Sequence, residues 1–429
     1  MKKNGTYNPR MVALNVLQDI VANQSYSNLR LKQEQSGLND QDYRFVSALC
    51  YTTLDHLLYI DHIIDTYCSQ KPKPVVRNIL RLGISELLYM STPSHAAISE
   101  YVELCRHSGK QALCGFVNAV LRKIDRERDS LPSFDENTVP SLSVKYSCPE
   151  WIVSMWKEQF GLDETIRLLQ AQPSGVTVRA QYPCTGADLE KEFSVTFRHG
   201  KLDDNALLAG KGIHFTESPA FSEGRMTIQS EGAMLACRAM GDCTGMQVLD
   251  ACAAPGGKSA YLASLSKNDI RLTCCELHDH RVNLIRKTLG RLHVQADIRR
   301  NDATILDPSF VDLFDAVLLD VPCSGLGLVH EKPDIRYSKT LDDIVSLASL
   351  QKKILDTCCQ YVKNGGVLVY STCTISGQEN EEQATAFLNR HPEFHPDPLP
   401  FSGETHMIQL LPHIHGTDGF FIARFRKCS

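Results

Sequence analysis

The sequence predicts a multidomain chain: an all-α N-terminal domain, a small α+β insert, and an α/β domain built on a doubly wound parallel sheet. Three observations predict it. Apolar residues recur at helical spacing from about residue 8 to 128, short strand candidates broken by turns occupy 176–229, and strands and helices alternate from about Gly232 onward. The expected domains are 1–130, 140–230 and 231–429.

In the first domain the helical spacing is carried by Met11, Leu14, Val16 and Leu17, then by Phe45, Leu49, Thr53 and Leu57. Ile79, Leu82, Ile84 and Leu87 continue it, as do Phe116, Val120 and Ile124. Pro74 suits the first turn of a helix. Asp129-Ser130-Leu131-Pro132-Ser133 reads as a linker, with further breaks at Pro140 and Pro149. An amphipathic helix is expected from Trp151 to about Ala171. The insert then offers strand candidates at Val176 to Arg179, Phe193 to Phe197, Gly212 to Phe215 and Met226 to Gln229. In the last domain, strands are expected at Gln247 to Asp250, Arg271 to Cys275, Phe314 to Leu319 and Gly366 to Tyr370. Helices are expected at Lys258 to Leu265 and Asp279 to Leu289. Phe420 to Phe425 reads as an antiparallel strand closing the sheet edge.

With 429 residues, 43% hydrophobic and 22% charged, the chain has the composition of a globular protein with two or three sizeable cores. No apolar run reaches the eighteen or so residues of a membrane span. Lys2 and Lys3 have no apolar stretch behind them, so a signal peptide is not expected and a cytoplasmic location is. None of the 16 cysteines is spaced Cys-x-x-Cys, which argues against a structural zinc site, and a reducing compartment argues against disulfides. No metal is expected. The net charge of -5 does not advertise nucleic-acid binding, although phosphate contacts need only a local basic surface. Lys73, Arg77 and Arg81 would form one stripe on a helix, and Arg122, Lys123, Arg126 and Arg128 a second cluster diluted by acids. Either also suits a solvated face.

Chemistry concentrates in the last domain. Asp250-Ala251-Cys252-Ala253-Ala254-Pro255-Gly256-Gly257-Lys258 is a Gly-rich turn between a strand and a helix. Its glycines let backbone approach a ligand, and the helix start behind them offers unpaired N–H groups. Cys252 stands where a phosphate-binding P-loop needs Gly, and the dinucleotide pattern Gly-x-Gly-x-x-Gly is absent. A nucleoside-containing ligand without a phosphate chain survives. Glu276 ends the second strand, where an acid can hold a ribose diol, and Asp302 follows the next apolar stretch, where it can hold an adenine amino group. Together they make S-adenosylmethionine the leading cofactor.

Two cysteine motifs follow, Asp320-Val321-Pro322-Cys323-Ser324 and Tyr370-Ser371-Thr372-Cys373-Thr374, each at the end of an apolar run. Strand ends of an open parallel sheet share one rim, so both thiols are expected to face one pocket. Adenine amino-group methyltransferases carry Asp/Asn-Pro-Pro-aromatic at such a strand end; a thiol in place of the aromatic disfavours that chemistry. Methylation at carbon 5 of a pyrimidine suits it, because that carbon is a poor nucleophile until a thiolate adds to carbon 6. A lone buried thiol would carry no such meaning. Two at strand ends beside a methyl-donor loop do.

These residues together resemble the RsmB/Sun family of ribosomal RNA cytosine carbon-5 methyltransferases. The N-terminal helices resemble the RNA-binding domain of the NusB antitermination factor, above all at Gly115 to Lys123. Lys145 to Trp151, Pro333-Asp334-Ile335 and Asp418-Gly419-Phe420-Phe421 match further family motifs. The resemblance implies a NusB-like domain, an RNA-facing insert and a Rossmann-like S-adenosylmethionine-dependent methyltransferase domain. It implies Cys373 as the nucleophile, Cys323 as the thiol that helps release product, and Asp320 as an acid touching the cytosine near its nitrogen 3, positioned by Lys258. Cys252, Ala253, Ala254, Pro255, Gly256, Gly257 and Lys258 would hold the methionine part of the cofactor. Glu276 would hold the ribose, Asp302 the adenine end, and Arg281 and Asp320 complete the cofactor set. Lys73, Arg77, Arg81 and Arg179 are the expected RNA contacts. The implied substrate is small-subunit (16S) ribosomal RNA, bound by a monomer, with the target base flipped out of its stack. The same chemistry on transfer RNA, or a non-catalytic RNA-binding assembly factor, are the alternatives. Glu276 stands where Asp is commoner, Arg179-Ala180-Gln181 where Arg-Val-Asn is usual, and Ser230 where an Asp follows Gln229.

Overall fold

The computed structural model describes residues 8–23, 26–172, 175–208, 210 and 213–428. They form two compact units, Met1–Gln170 with Val329–Lys339, and Ala171–Leu328 with Thr340–Ser429. The division differs from the expected one at two places. The helices after residue 139 belong with the N-terminal helices, and the small insert belongs with the α/β part.

The first unit is helical: α1 (Pro9–Asn23), α2 (Ser27–Glu34), α3 (Asp40–Asp55), α4 (Leu57–Tyr67), α5 (Pro74–Tyr89), α6 (Ser94–His107), α7 (Cys114–Arg126) and α8 (Val139–Lys145). Pro74 stands in the first turn of α5, as its missing N–H predicts. The helix expected from Trp151 to Ala171 is two, α9 (Glu150–Phe160) and α10 (Leu162–Leu169). Gly161, at φ +81°, breaks it in a conformation that glycine adopts without strain. The periodic residues Leu14, Leu17, Leu49, Ile79, Leu82, Val120 and Ile124 share one buried core.

The second unit begins with the insert: β1 (Thr177–Ala180), α11 (Gly186–Phe193), β2 (Arg198–His199), β3 (Leu207–Leu208), α12 (Pro219–Ser222) and β4 (Met226–Ile228). Its strands form an antiparallel sheet in the order β2-β3-β1-β4. The first and last expected strands are present. The expected strand at Phe193–Phe197 is not: Thr185 and Asp188 form a capping box that starts α11, and Ser194 ends it at φ +53°. Of the expected strand Gly212–Phe215, Gly212 lies outside the described residues, and Phe215 opens a short 3-10 turn instead.

The α/β part follows: α13 (Glu231–Arg238), β5 (Gln247–Asp250), α14 (Gly257–Leu265), β6 (Arg271–Glu276), α15 (Asp279–Arg291), β7 (Asp297–Arg300) and β8 (Phe314–Asp320). After α16 (Ile335–Ser338), which lies in the segment that joins the helical unit, come α17 (Leu341–Cys358), β9 (Val362–Thr372), α18 (Glu381–Arg390), β10 (Phe394–Pro396), β11 (Met407–Leu410), α19 (Pro412–His415) and β12 (Phe420–Lys427). The sheet order is β10-β12-β9-β8-β5-β6-β7, with β11 also paired to β12. Strands β5 to β9 run parallel and β12 antiparallel. Phe420–Phe425 is therefore antiparallel as expected, but it does not close the edge, because β10 and β11 pair beyond it. Alternate strand residues feed two cores: Val248, Cys274, Leu318 and Val369 on one face, and Leu249, Cys275, Leu319 and Tyr370 on the other. A sheet buried on both faces has only its strand ends open to ligands. The chain reverses direction between β5 and β8, so a crevice is expected at the carboxyl ends of those strands. No helix among the described residues is long and apolar enough to cross a membrane.

Candidate active site

The carboxyl ends of β5, β6, β8 and β9 carry Asp250, Glu276, Asp320 and Thr372, and the chemistry-bearing loops leave from there. After β5 the loop is pinned by backbone bonds from Ala251 to the Leu318 carbonyl (3.1 Å) and from Ala253 to the Cys275 carbonyl (2.9 Å). Gly256 stands at φ +102°, where a side chain would be strained. A Cβ on Gly257 would meet nothing within 4 Å, which leaves open space at the amino end of α14. Asp250 lies beneath the loop. One of its oxygens accepts the Ser259 hydroxyl at 2.6 Å, and the other has no hydrogen-bond partner among the described residues.

Glu276 is buried at the end of β6, accepting the His278 N–H at 3.2 Å and facing the Arg281 guanidinium at 3.1 Å. Arg281 also reaches the Ala254 carbonyl at 3.4 Å, which ties this acid to the loop. Asp302 lies two residues beyond β7, and one of its oxygens takes the Thr304 N–H and hydroxyl at 2.9 and 2.7 Å. Cys252 packs its side chain against the core on the α17 face, and burial holds its thiol well above the ordinary range. An open glycine cradle, a helix amino end and an acid at the second strand end form a donor set that fits a nucleoside sulfonium ligand. Pro255 and Lys258 flank the two glycines.

Next to the cradle, Lys258 Nζ lies 2.7 Å from Asp320 Oδ2, and the Ser371 hydroxyl donates to Asp320 Oδ1 at 3.1 Å. The same ammonium sits 5.2 Å from the centre of the Phe420 ring. Burial disfavours the Lys258 charge, and the adjacent Asp320 outweighs it, so the ammonium is held more firmly than usual. Cys323 Sγ and Cys373 Sγ, fifty residues apart in sequence, are 3.2 Å apart. The Cys323 thiol is pushed well above its ordinary range, first by its bond to Cys373 and then by burial. Its protonated form is the favoured one.

The expected RNA contacts fare differently. Lys73 is exposed. Arg77 pairs with Asp61 and Asp65, and Arg81 with Asp61, so much of the stripe's charge is already met. Arg179 is fully buried and cannot be an RNA-facing contact as expected. Its guanidinium bonds Gln229 and Gln181 at 2.7 and 2.6 Å, reaches the Gly257 carbonyl at 3.3 Å, and lies over the Tyr261 ring. Burial lowers its pKa to about 10. Gln181 likewise bonds the Ala260 carbonyl, so this segment clamps the insert to α14. Ser230 caps α13 and donates to Asp418 at 2.9 Å.

Two further residues frame the thiol loops. Glu379 and Asn380 are fully buried beneath them. They stand in Gln378-Glu379-Asn380-Glu381-Glu382, an acidic run that reads as solvated surface. The only hint is their place a few residues after Cys373, just before α18. Elsewhere, Cys359, His391 and Glu393 gather ligand-type atoms within 4.8 Å of one another. Cys359 precedes β9, so this group lies at the other end of the sheet, and His391 also bonds Asp356 there.

A parallel sheet with a Gly-rich loop after its first strand and an acid ending the next is the arrangement of nucleoside-binding α/β domains, the S-adenosylmethionine-dependent methyltransferases among them. Residues 241–426 match the family described as "16S rRNA methyltransferase RsmB/F", and residues 7–126 match the NusB family. The chain is 37% identical to the "Probable ribosomal RNA small subunit methyltransferase B" of Bacillus subtilis (strain 168), over 100% of both. It is 31% identical to the ribosomal RNA small subunit methyltransferase B of Vibrio cholerae, over 98% of each. The chain belongs to the ribosomal RNA small subunit methyltransferase B family, with a NusB-like N-terminal domain. Among solved structures, PH0851 superposes with a TM-score of 0.80 at 24% identity, covering 99% of this chain and all of that one. A methyltransferase homolog protein from Pyrococcus horikoshii superposes at 0.59 with 27% identity, over 68% of this chain and 99% of its own.

Proposed function

We propose that the protein methylates carbon 5 of one cytosine in small-subunit ribosomal RNA, through a transient bond between Cys373 and carbon 6 of the base. The observation that carries this reading is the 3.2 Å contact between Cys323 and Cys373 on the rim that also bears Asp320. S-adenosylmethionine, when bound, supplies an electrophilic methyl group. Glu276, Asp302, Arg281 and the loop from Cys252 to Lys258 would hold it. Cys373 as thiolate adds to carbon 6, which turns carbon 5 into an enamine-like nucleophile. Asp320, fixed by Lys258 and Ser371, contacts the ring near nitrogen 3 and favours its protonation, so that the charge pushed into the ring is met. After transfer, loss of the carbon-5 proton to a base re-forms the double bond and expels the Cys373 sulfur. Cys323, held as a thiol against that sulfur, offers it a proton as it leaves. The similarity to ribosomal RNA small subunit methyltransferases B supports ribosomal RNA as the substrate, and Lys73 with neighbouring basic residues would meet its phosphates.

Two substitutions test the reading. Cys373→Ala is expected to abolish 5-methylcytosine formation while S-adenosylmethionine binding persists. Cys323→Ala is expected to accumulate a protein–RNA adduct that survives a denaturing gel. Turnover by Cys373→Ala would reject the nucleophile, and a modified cytosine found only in transfer RNA would reject the substrate.

A further inference from the structure

Each thiol is followed by a hydroxyl residue, Ser324 after Cys323 and Thr374 after Cys373, and the two hydroxyls lie 2.6 Å apart. Both meet the buried carboxylate of Glu379. Its Oε1 accepts the Ser324 N–H at 2.8 Å and the Gln351 amide at 3.0 Å. Its Oε2 accepts the Ser324 hydroxyl at 2.6 Å and lies 3.5 Å from the Thr374 hydroxyl. The Gln351 amide also donates to the Pro322 carbonyl at 2.9 Å, and the Tyr370 hydroxyl to the Glu379 carbonyl at 2.6 Å. Among the described residues no Lys, Arg or His pairs with this carboxylate. Burying a charge without a cation is costly unless neutral donors converge on it, and here they come from both thiol loops.

We propose that Glu379 is a positioning residue that sets the separation and aim of Cys323 and Cys373, acting through Ser324 and Thr374. The inference rests on the two-thiol reading above. The contact between the sulfurs joins loops from two different strands, and the β8–β9 ladder reaches only Val321 and Ser371. Beyond those residues the loops meet in the Gly327 N–H bond to the Cys373 carbonyl and in the Ser324–Thr374 hydroxyl pair, and the carboxylate is the side chain that holds that pair from below. Asn380 fixes the second loop alone, accepting the Thr372 hydroxyl at 2.6 Å and donating to the Thr374 carbonyl at 3.1 Å.

The test combines a geometric readout with a kinetic one. Dibromobimane bridges two thiols only when they lie close together, and its reaction can be followed on the full chain without RNA, with Cys323→Ala as the background. In Glu379→Ala the bridging rate is expected to fall about tenfold or more, and kcat for methyl transfer to a 16S ribosomal RNA transcript by about a hundredfold, as a shift of about 1 Å would produce. The KM for S-adenosylmethionine is expected to stay within about threefold. Glu379→Gln keeps one oxygen to accept the Ser324 and Gln351 N–H groups and sets an amide N–H against the Ser324 hydroxyl, which can accept it and turn its own hydrogen to Thr374, so it is expected to recover most of both rates. If Glu379→Ala does not fold, Ser324→Ala removes a single contact and is expected to move both readouts in the same direction by less. Wild-type bridging and kcat in a folded Glu379→Ala or Ser324→Ala would overturn the proposal, as would a loss confined to the cofactor KM. Because bridging needs no methyl transfer, failure of the cytosine reading would leave that arm intact and be distinguishable.

Discussion

Asp250 is sealed beneath the cofactor loop, and burial pushes its pKa from 3.8 up to about 7, with the nearby Asp320 charge adding to the shift. The native state therefore binds a proton that the unfolded chain has already released between about pH 4 and pH 7. A folded pKa above the unfolded one means stability that is full at low pH and is lost as pH rises through the folded value. Asp250→Asn, which stays neutral, is expected to remove this component. The parent should lose on the order of 3 kcal/mol more than the variant between pH 4 and pH 7.5. Urea unfolding of the ligand-free protein at both pH values measures it, and parallel losses in the two proteins would refute it. At this scale the two thiols were legible because a strand end fixes the rim on which the next residues stand. Glu379 was not, because nothing in an acidic run announces that one of its carboxylates is turned inward.

Among the elements, the loops after β8 and β9 meet through backbone at a glycine as well as through the side chains around the two thiols. Gly327 donates its N–H to the Cys373 carbonyl and accepts from Gly419. A Cβ on Gly327 would stand 1.9 Å from the Gly419 oxygen and 2.8 Å from the Cys373 oxygen, both backbone atoms. Gly327→Ala must displace one loop, so a loss of about 1–3 kcal/mol is expected, together with a fall in methyl transfer. A variant with wild-type melting and turnover would show that the loops yield. Helix α5 separates two roles that the sequence merged into one basic stripe. Replacing the exposed Lys73 by Gln should reduce the salt slope of RNA binding by about 1, whereas Arg77→Gln should act on stability through Asp61 and Asp65. Equal slopes for Lys73→Gln and the parent would remove Lys73 from the interface. Strands β8 and β9 were readable as apolar runs because both faces are buried, and β5 and β6 from the alternation of strand and helix around them. The insert was not: Phe193 and Phe197 suggest a strand, and only the Thr185–Asp188 cap shows a helix. Leu207–Leu208 is too short to announce itself, and Arg179 reads as a surface cation until Tyr261, 82 residues later, comes to lie beneath it.

At the scale of the whole molecule, neither compact unit is one continuous stretch of chain. Residues Val329–Lys339 follow the Cys323 loop by a few residues and yet belong to the helical unit. Asp334 is buried there, accepting the Ser27 N–H and hydroxyl at 3.1 and 2.6 Å. The Tyr337 hydroxyl donates to the Leu54 and Ser147 carbonyls at 2.9 and 2.8 Å, and Arg336 bonds the Val329 carbonyl and pairs with Asp55. The Pro333-Asp334-Ile335 motif, whose family resemblance was plain in the sequence, thus finds its physical use in a domain centred more than two hundred residues upstream. Removing the carboxylate leaves two buried donors on Ser27 without their acceptor, a loss of about 2 kcal/mol for bonds to a charged group. Asp334→Ala is therefore expected to speed amide hydrogen exchange of α1 to α7 by about tenfold or more. The strands β5 and β8, which have their own cores, should keep their protection, and S-adenosylmethionine affinity should stay within about twofold. Tyr337→Phe, which deletes one hydroxyl, should act in the same direction by about half as much. Exchange that quickened equally in both units would show that they unfold together, and the helical unit could then not be treated as stabilised by its own strap.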